Sequence, residues 1–164
     1  MKRASSNGFT LIEMMIVVVI IGVLASIAYP AYNRYSTQTR RSDAKIALTQ
    51  VASEQERFYS DCNWYATNIT GAPRACGATP ADANARLNLP ATSPDGHYTF
   101  LPIAAGNIAG GCATFSCGYT ITATPTAGGR QVGDGAFRID ALGRKEWDRN
   151  NSGAFDANEN TWGK

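Results

Sequence analysis

Residues 8–32 read Gly8-Phe9-Thr10-Leu11-Ile12-Glu13 and then MMIVVVIIGVLASIAYPAY, an apolar run interrupted by one charge, Glu13. A helix from Phe9 to Ala28 has 20 residues. At about 1.5 Å per residue it is about 30 Å long, enough to cross the hydrocarbon core of a bilayer. A cleavable secretory signal carries its small residues after the apolar region. Ala25-Ser26-Ile27-Ala28 has that look, but here Gly8 precedes the run, Glu13 lies inside it, and helical patterning continues past Tyr32. A carboxylate in hydrocarbon costs roughly 2.5–3.5 kcal/mol on insertion scales, so Glu13 needs a partner or a task. Locally, Thr10-Leu11-Ile12-Glu13 fits the S/T-x-x-E capping box, in which the glutamate satisfies a free backbone N–H at a helix start. A cap alone does not explain a carboxylate within an apolar stretch.

Ahead of the run, residues 1–8 (MKRASSNG) are short, polar and basic. The short leader, Gly8, Phe9, Glu13 four residues after Phe9, and the apolar helix together resemble the class III signal of type IV pilins and type II secretion pseudopilins. The resemblance covers about the first third of the chain in detail. It implies that a prepilin peptidase cuts between Gly8 and Phe9 on the cytoplasmic side and methylates the new Phe9 amine. It also implies that Glu13 then pairs with the Phe9 amine of a neighbouring subunit. The physics fits, because an amine and a carboxylate among packed apolar helices offset each other's burial cost only by meeting. The partners implied are other pilin subunits, the prepilin peptidase and the inner-membrane pilus assembly machinery. Charge barely orients the helix, since Lys2 and Arg3 flank one end and Arg34, Arg40 and Arg41 the other. A single inner-membrane pass with a cytoplasmic N-terminus, followed by a place in a surface filament, therefore rests on the resemblance.

Beyond Tyr32, Ala44, Ala47, Leu48, Val51, Ala52 and Phe58 recur at three and four residues, an amphipathic stripe. The reading is one long helix from about Phe9 to about Tyr59, bent near Pro30, whose second half packs on a sheet. Residues Ser60–Gly96 are rich in Asn, Pro, Ala, Thr and Gly. They predict a long loop with a short helical turn at Ala81–Leu87. Three strands are expected, at His97–Ile103, Gly118–Thr124 and Ala136–Leu142, where Tyr98/Phe100, Tyr119/Ile121 and Phe137/Ile139 alternate with polar residues. The expected class is α+β, a long N-terminal helix on an antiparallel sheet, which is also the pilin architecture. Residues 1–8 are then a leader, 9–32 the transmembrane and filament-core helix, and 33–164 a head domain that includes the second half of the helix.

The chain has 164 residues with 15 basic and 13 acidic side chains and a mean hydropathy of −0.22. Without Lys2 and Arg3 the charges balance, so composition shows no basic surplus of the kind a general nucleic-acid binder uses to release counterions, and no specific nucleic-acid partner is evident. Four cysteines, Cys62, Cys76, Cys112 and Cys117, in a short exported chain predict two disulfides. Neighbouring cysteines close the shortest loops, which favours Cys62–Cys76 with Cys112–Cys117; the two other pairings stay open. Metal binding by the thiols is a poorer fit, because no pair has C-x-x-C spacing and His97 is the sole histidine.

Near the C-terminus, Asp148, Asn150, Ser152, Asp156 and Glu159 take positions 1, 3, 5, 9 and 12 of a calcium loop. Gly153 stands at position 6, and Ala154 offers a carbonyl at 7. Too few residues follow Glu159 for a second helix, so a helix–loop–helix is excluded, and an Asx-rich turn without metal fits equally. Pseudopilins are known to carry calcium in this region, and Arg144–Asp148 with Trp162 resembles the end of PilE-type minor pilins. Asn68-Ile69-Thr70 is a chance match to a glycosylation acceptor. No motif places a nucleophile beside His97, so no enzymatic reaction is expected. The functional expectation is a structural subunit of a type IV pilus, a minor pilin serving adhesion, twitching motility or DNA uptake. The alternative is a pseudopilin of a type II secretion system.

Overall fold

The computed structural model describes residues 9–106, 111–156 and 158–163. Gly8, and with it one side of the expected cleavage bond, lies outside them. Helix α1 spans Leu11–Cys62 and runs on through Pro30. Thr10 begins it: its Oγ1 accepts the Glu13 N–H at 3.3 Å, one half of the capping box. Asn63 ends it in the left-handed region (φ 61°), returning its N–H to the Tyr59 carbonyl at 2.8 Å. The chain divides into two compact units between Gln38 and Thr39.

In the first unit the large apolar side chains are exposed, from Phe9 (77%) to Ile27 (69%). This stretch meets the length and composition of a membrane span, and none of that window is buried.

In the second unit, α1 buries Ala44, Ala47, Leu48, Val51 and Phe58, with Ala52 packed beside them. The sheet is antiparallel. It comprises β1 (Tyr98–Phe100), β2 (Ala104–Ala105), β3 (Tyr119–Pro125), β4 (Phe137–Asp140) and β5 (Lys145–Trp147), in the order β1-β3-β4-β5 with β2 also on β3. Along β3, buried Tyr119, Ile121 and Ala123 alternate with half-buried Thr120, Thr122 and Thr124, the two-residue period of a sheet with one covered face. Phe137 is the hub of the core. It stacks on Trp147 (5.5 Å between centroids, 8° between planes) and meets Tyr98 and Trp162 edge-on at 5.6 and 6.4 Å.

Five strands form where three were expected. The first expected strand, His97–Ile103, ends early at Phe100, ahead of Pro102, which has no N–H for the ladder, and the short β2 forms just past its expected end. Strand β5 went unforeseen because three residues are too few to show a period. The helical turn expected at Ala81–Leu87 does not form. The Asp82 carboxylate accepts the amides of Ala78 (2.7 Å) and Asn84 (2.8 Å), and Ala81 sits at φ 71°. Such local side-chain bonding competes with the helix, and the same amides hold the Asp82 carboxyl below its ordinary range.

The 63–97 segment is tied down at its base. Gln55, fully buried on α1, pairs with Ala66 like a strand residue, donating to its carbonyl (3.0 Å) and accepting its N–H (2.9 Å). The cysteines pair as Cys62–Cys76 and Cys112–Cys117, at sequence separations of 14 and 5. Loops of those lengths restrict the unfolded chain by about 3 and about 2 kcal/mol.

Candidate functional site

Three places carry the residues of interest: the start of α1, a buried polar network under the sheet, and the C-terminal tail. At the first, Phe9 and Glu13 both face solvent. Among the described residues the Glu13 carboxylate takes no partner, although its backbone N–H is capped by Thr10. An exposed helix this apolar, with one carboxylate near its N-terminus, suits burial among other helices, where that carboxylate would need a cation from outside its own chain.

The second place was invisible in the sequence. Arg41 on α1 forms a two-pronged bond with Asp134, both N–O distances 2.8 Å. Tyr98 donates its hydroxyl to the same carboxylate (2.7 Å), and Gln131 donates to it at 3.1 Å. Burial, and then the bond to Asp134, push the Tyr98 phenol above its ordinary range. The Arg41 guanidinium also lies 4.5 Å from the centre of the Trp147 ring. Nothing local marks these residues, since Asp134-Gly135 reads only as a turn. A β-carbon on Gly135 would collide with the Asp148 carbonyl, so the close approach there requires glycine.

At the tail, the residues with calcium-loop spacing do gather, but their oxygens meet amides. Asp148 accepts the N–H of Ser152 and Gly153, both at 2.9 Å. Glu159 accepts those of Arg149 (2.8 Å), Asn150 (3.3 Å) and Asp156 (3.0 Å). These bonds, that from Asp156 foremost, hold the Glu159 carboxyl below its ordinary range. Asn150 donates its side-chain amide to Asp156 (3.0 Å), and the Ser152 hydroxyl donates to the Ala154 carbonyl (3.2 Å). Among the described residues no three acidic, histidine or cysteine side chains converge as a metal site. In this arrangement the loop is braced by its own backbone amides.

The tail also wraps the sheet edge. Glu159 gives its carbonyl to the Trp147 N–H (3.0 Å). Phe155 lies 4.0 Å beneath the guanidinium of Arg138, which is itself bonded to Glu146. Trp162 Nε1 donates to the carbonyls of Arg138 (3.2 Å) and Glu146 (3.1 Å), and Lys45 donates to the Trp162 carbonyl (2.6 Å). Burial, and then the nearby Arg41, push the Lys45 ammonium below its ordinary range.

Comparison with known proteins bears on the first two places. Residues 3–29 match the prokaryotic N-terminal methylation motif. Residues 30–135 match the family described as "Type IV minor pilin ComP, DNA uptake sequence receptor". Among curated relatives, the type IV major pilin protein PilA of Myxococcus xanthus is 43% identical over 60 residues, 37% of this chain and 27% of that protein. The fimbrial protein EcpC of Eikenella corrodens is 46% identical over 70 residues, 42% of this chain and 45% of that protein. The type IV major pilin protein PilE1 of Neisseria gonorrhoeae is 31% identical over 100 residues, 61% of this chain and 59% of that protein. The chain thus spans between about a quarter and three-fifths of the length of these relatives. Strands β4 and β5 and the tail lie beyond both family matches.

Proposed function

This chain belongs to the type IV minor pilin family, and from that premise we propose that it is a structural subunit of a type IV pilus rather than an enzyme. The observation that carries the reading is the N-terminal methylation motif on a helix whose large apolar side chains from Phe9 to Ile27 are exposed. In this proposal the precursor sits in the inner membrane with its N-terminus in the cytoplasm. Prepilin peptidase cuts between Gly8 and Phe9 and methylates Phe9, and the helix enters the filament with Glu13 against the Phe9 amine of a neighbour. Because the apolar half of α1 leaves lipid rather than water, its association with other helices rests on close van der Waals packing and on the Glu13 pairing.

The head domain then faces outward, and DNA uptake is the role the family description favours among adhesion, twitching motility and uptake. The balanced net charge does not oppose this, since a local face can meet phosphates without an overall surplus. Calcium in the tail would favour the alternative, a pseudopilin of a type II secretion system, and a melting temperature that rises with calcium would be its sign.

The test is the mass of the mature N-terminus. Cells carrying the assembly machinery should yield a chain that starts at methylated Phe9, while Gly8→Val should leave the full-length precursor in the membrane. Normal trimming of that variant would sink the reading. Glu13→Ala should be processed normally yet drop out of sheared filaments, and its recovery there at the unaltered level would remove Glu13 from assembly.

A further inference from the structure

The apolar run of α1 ends on tyrosines. Between Glu13 and Arg34 the helix carries no charge, and its last positions before Arg34 are Tyr29-Pro30-Ala31-Tyr32-Asn33. Tyr29 and Tyr32 are both exposed. They stand three residues apart within the helix, so their rings lie on neighbouring parts of one side, about one turn apart.

A tyrosine ring is apolar but carries a hydroxyl that seeks water, so on a spanning helix it settles where hydrocarbon gives way to headgroups. Pro30 marks the same boundary by a different route. The helix runs on through it, yet Pro30 has no N–H to offer the Ser26 carbonyl, and hydrocarbon holds no water to take its place. Arg34, exposed two residues beyond Tyr32, lies about 3 Å further along the axis, at the level where a long cationic side chain meets lipid phosphates.

Length then decides what such a boundary does. Phe9 lies 20 positions before Tyr29, about 30 Å along the axis, which matches the hydrocarbon thickness. With Tyr29 at the outer boundary, Phe9 falls at the inner one. Glu13 is then about 6 Å from that inner boundary and well away from the midplane, where a charge costs most. A slide of one turn towards the outside would draw Phe9 about 5.4 Å into hydrocarbon and take Glu13 deeper still.

We infer that Tyr29 and Tyr32 form an interfacial anchor, seated in the phospholipid headgroup layer of the periplasmic leaflet, that holds the precursor at the depth where the bond between Gly8 and Phe9 meets the peptidase. This rests on the membrane-precursor reading above and adds to it the residues that set the depth. They position the scissile bond and take no part in its chemistry.

The experiment follows trimming of the full-length precursor by prepilin peptidase, both reconstituted in phosphatidylcholine vesicles of graded acyl-chain length. Each variant's rate is taken relative to that of the unaltered chain in the same vesicles. Tyr29→Leu/Tyr32→Leu removes the anchor and lengthens the apolar run by about 6 Å. In bilayers of ordinary thickness it should be trimmed several-fold more slowly, roughly the effect of a mismatch of that size. In bilayers about 6 Å thicker the order should invert, because the longer run then fits; damage to the fold would not invert with thickness. Tyr29→Trp/Tyr32→Trp, which keeps interfacial rings, should recover the rate that the leucines lose. Its added fluorescence, over that of Trp64, Trp147 and Trp162 in the unaltered chain, should be quenched more by lipids brominated near the headgroup than near the chain ends. A rate ratio for the leucine variant that stays the same at every thickness, or stronger quenching from the chain ends, overturns the anchor and leaves the prepilin reading in place. Failure of the peptidase to trim the unaltered chain overturns both.

Discussion

Arg41 and Asp134, 93 positions apart in sequence, meet in a planar fork whose two N–O distances are both 2.8 Å. The Asp134 side chain is 6% exposed and the Arg41 side chain 30%. The carboxylate also receives the Tyr98 hydroxyl and the Gln131 side-chain amide. The fork therefore ties α1 to the segment between β3 and β4, and it holds Tyr98 on β1 in the same network.

Removing the guanidinium leaves a buried carboxylate with neutral donors alone, and breaking one side of such a pair costs several kcal/mol where burial is complete. With Arg41 partly exposed, Arg41→Ala should cost about 2–3 kcal/mol. Arg41→Lys should recover part of that loss as a point charge without the fork. Tyr98→Phe should cost about 1 kcal/mol. Chemical denaturation followed by near-ultraviolet circular dichroism checks the order, and equal stability of Arg41→Ala and the unaltered chain would show that the fork contributes nothing.

Much of the fold could be read ahead because its signals are local. The apolar run with Glu13, the stripe from Ala44 to Phe58 and the alternation at Tyr119–Ile121 each declare themselves within a few turns or residues. What escaped reading depends on distant partners. Arg41 carries no mark of Asp134, and Gln55 lies in a helix yet bonds Ala66 as a strand residue would. Strand β5 exists because Trp147 stacks on Phe137 and Glu159 returns to its N–H. The tail shows the converse case: the spacing from Asp148 to Glu159 is legible in the sequence, whereas the backbone amides that brace those oxygens are not.

Tyrosine burial sets the alkaline limit of the head domain. Burial, and then Glu56, push the Tyr65 phenol up to about 12; its hydroxyl lies 3.3 Å from the Glu56 carboxylate. Burial raises Tyr98 and Tyr119 as well. In the unfolded chain a phenol ionises near its ordinary value of about 10. The unfolded state thus loses protons first, and folding stability falls as pH rises from about 10 towards 12. Below that window the contribution is complete. The Lys45 shift has the opposite sense and opposes part of the loss. Thermal melts across this range should show a fall that Tyr65→Phe makes shallower, and a flat profile in the unaltered chain would count against burial of these phenols.

Glu159 makes the complementary prediction at acid pH and leads to a test for calcium. Its carboxyl is held below the ordinary glutamate range by the amides of Asp156, Asn150 and Arg149. A lowered pKa stabilises the fold above the unfolded value of about 4.5, and that contribution is lost as pH falls through the folded value. The Arg149, Asn150 and Asp156 amides should therefore exchange slowly at neutral pH, corrected for intrinsic rates, and lose protection on acidification. Glu159→Gln should lose it at neutral pH. Because these oxygens are already engaged, melts in excess calcium and in chelator should coincide, whereas preferential binding at a hundred times the dissociation constant would add about 2.7 kcal/mol. A clear rise in melting temperature with calcium, abolished in Asp148→Asn and Glu159→Gln, would mean that the loop rearranges around the ion and that the amide network is not its working state.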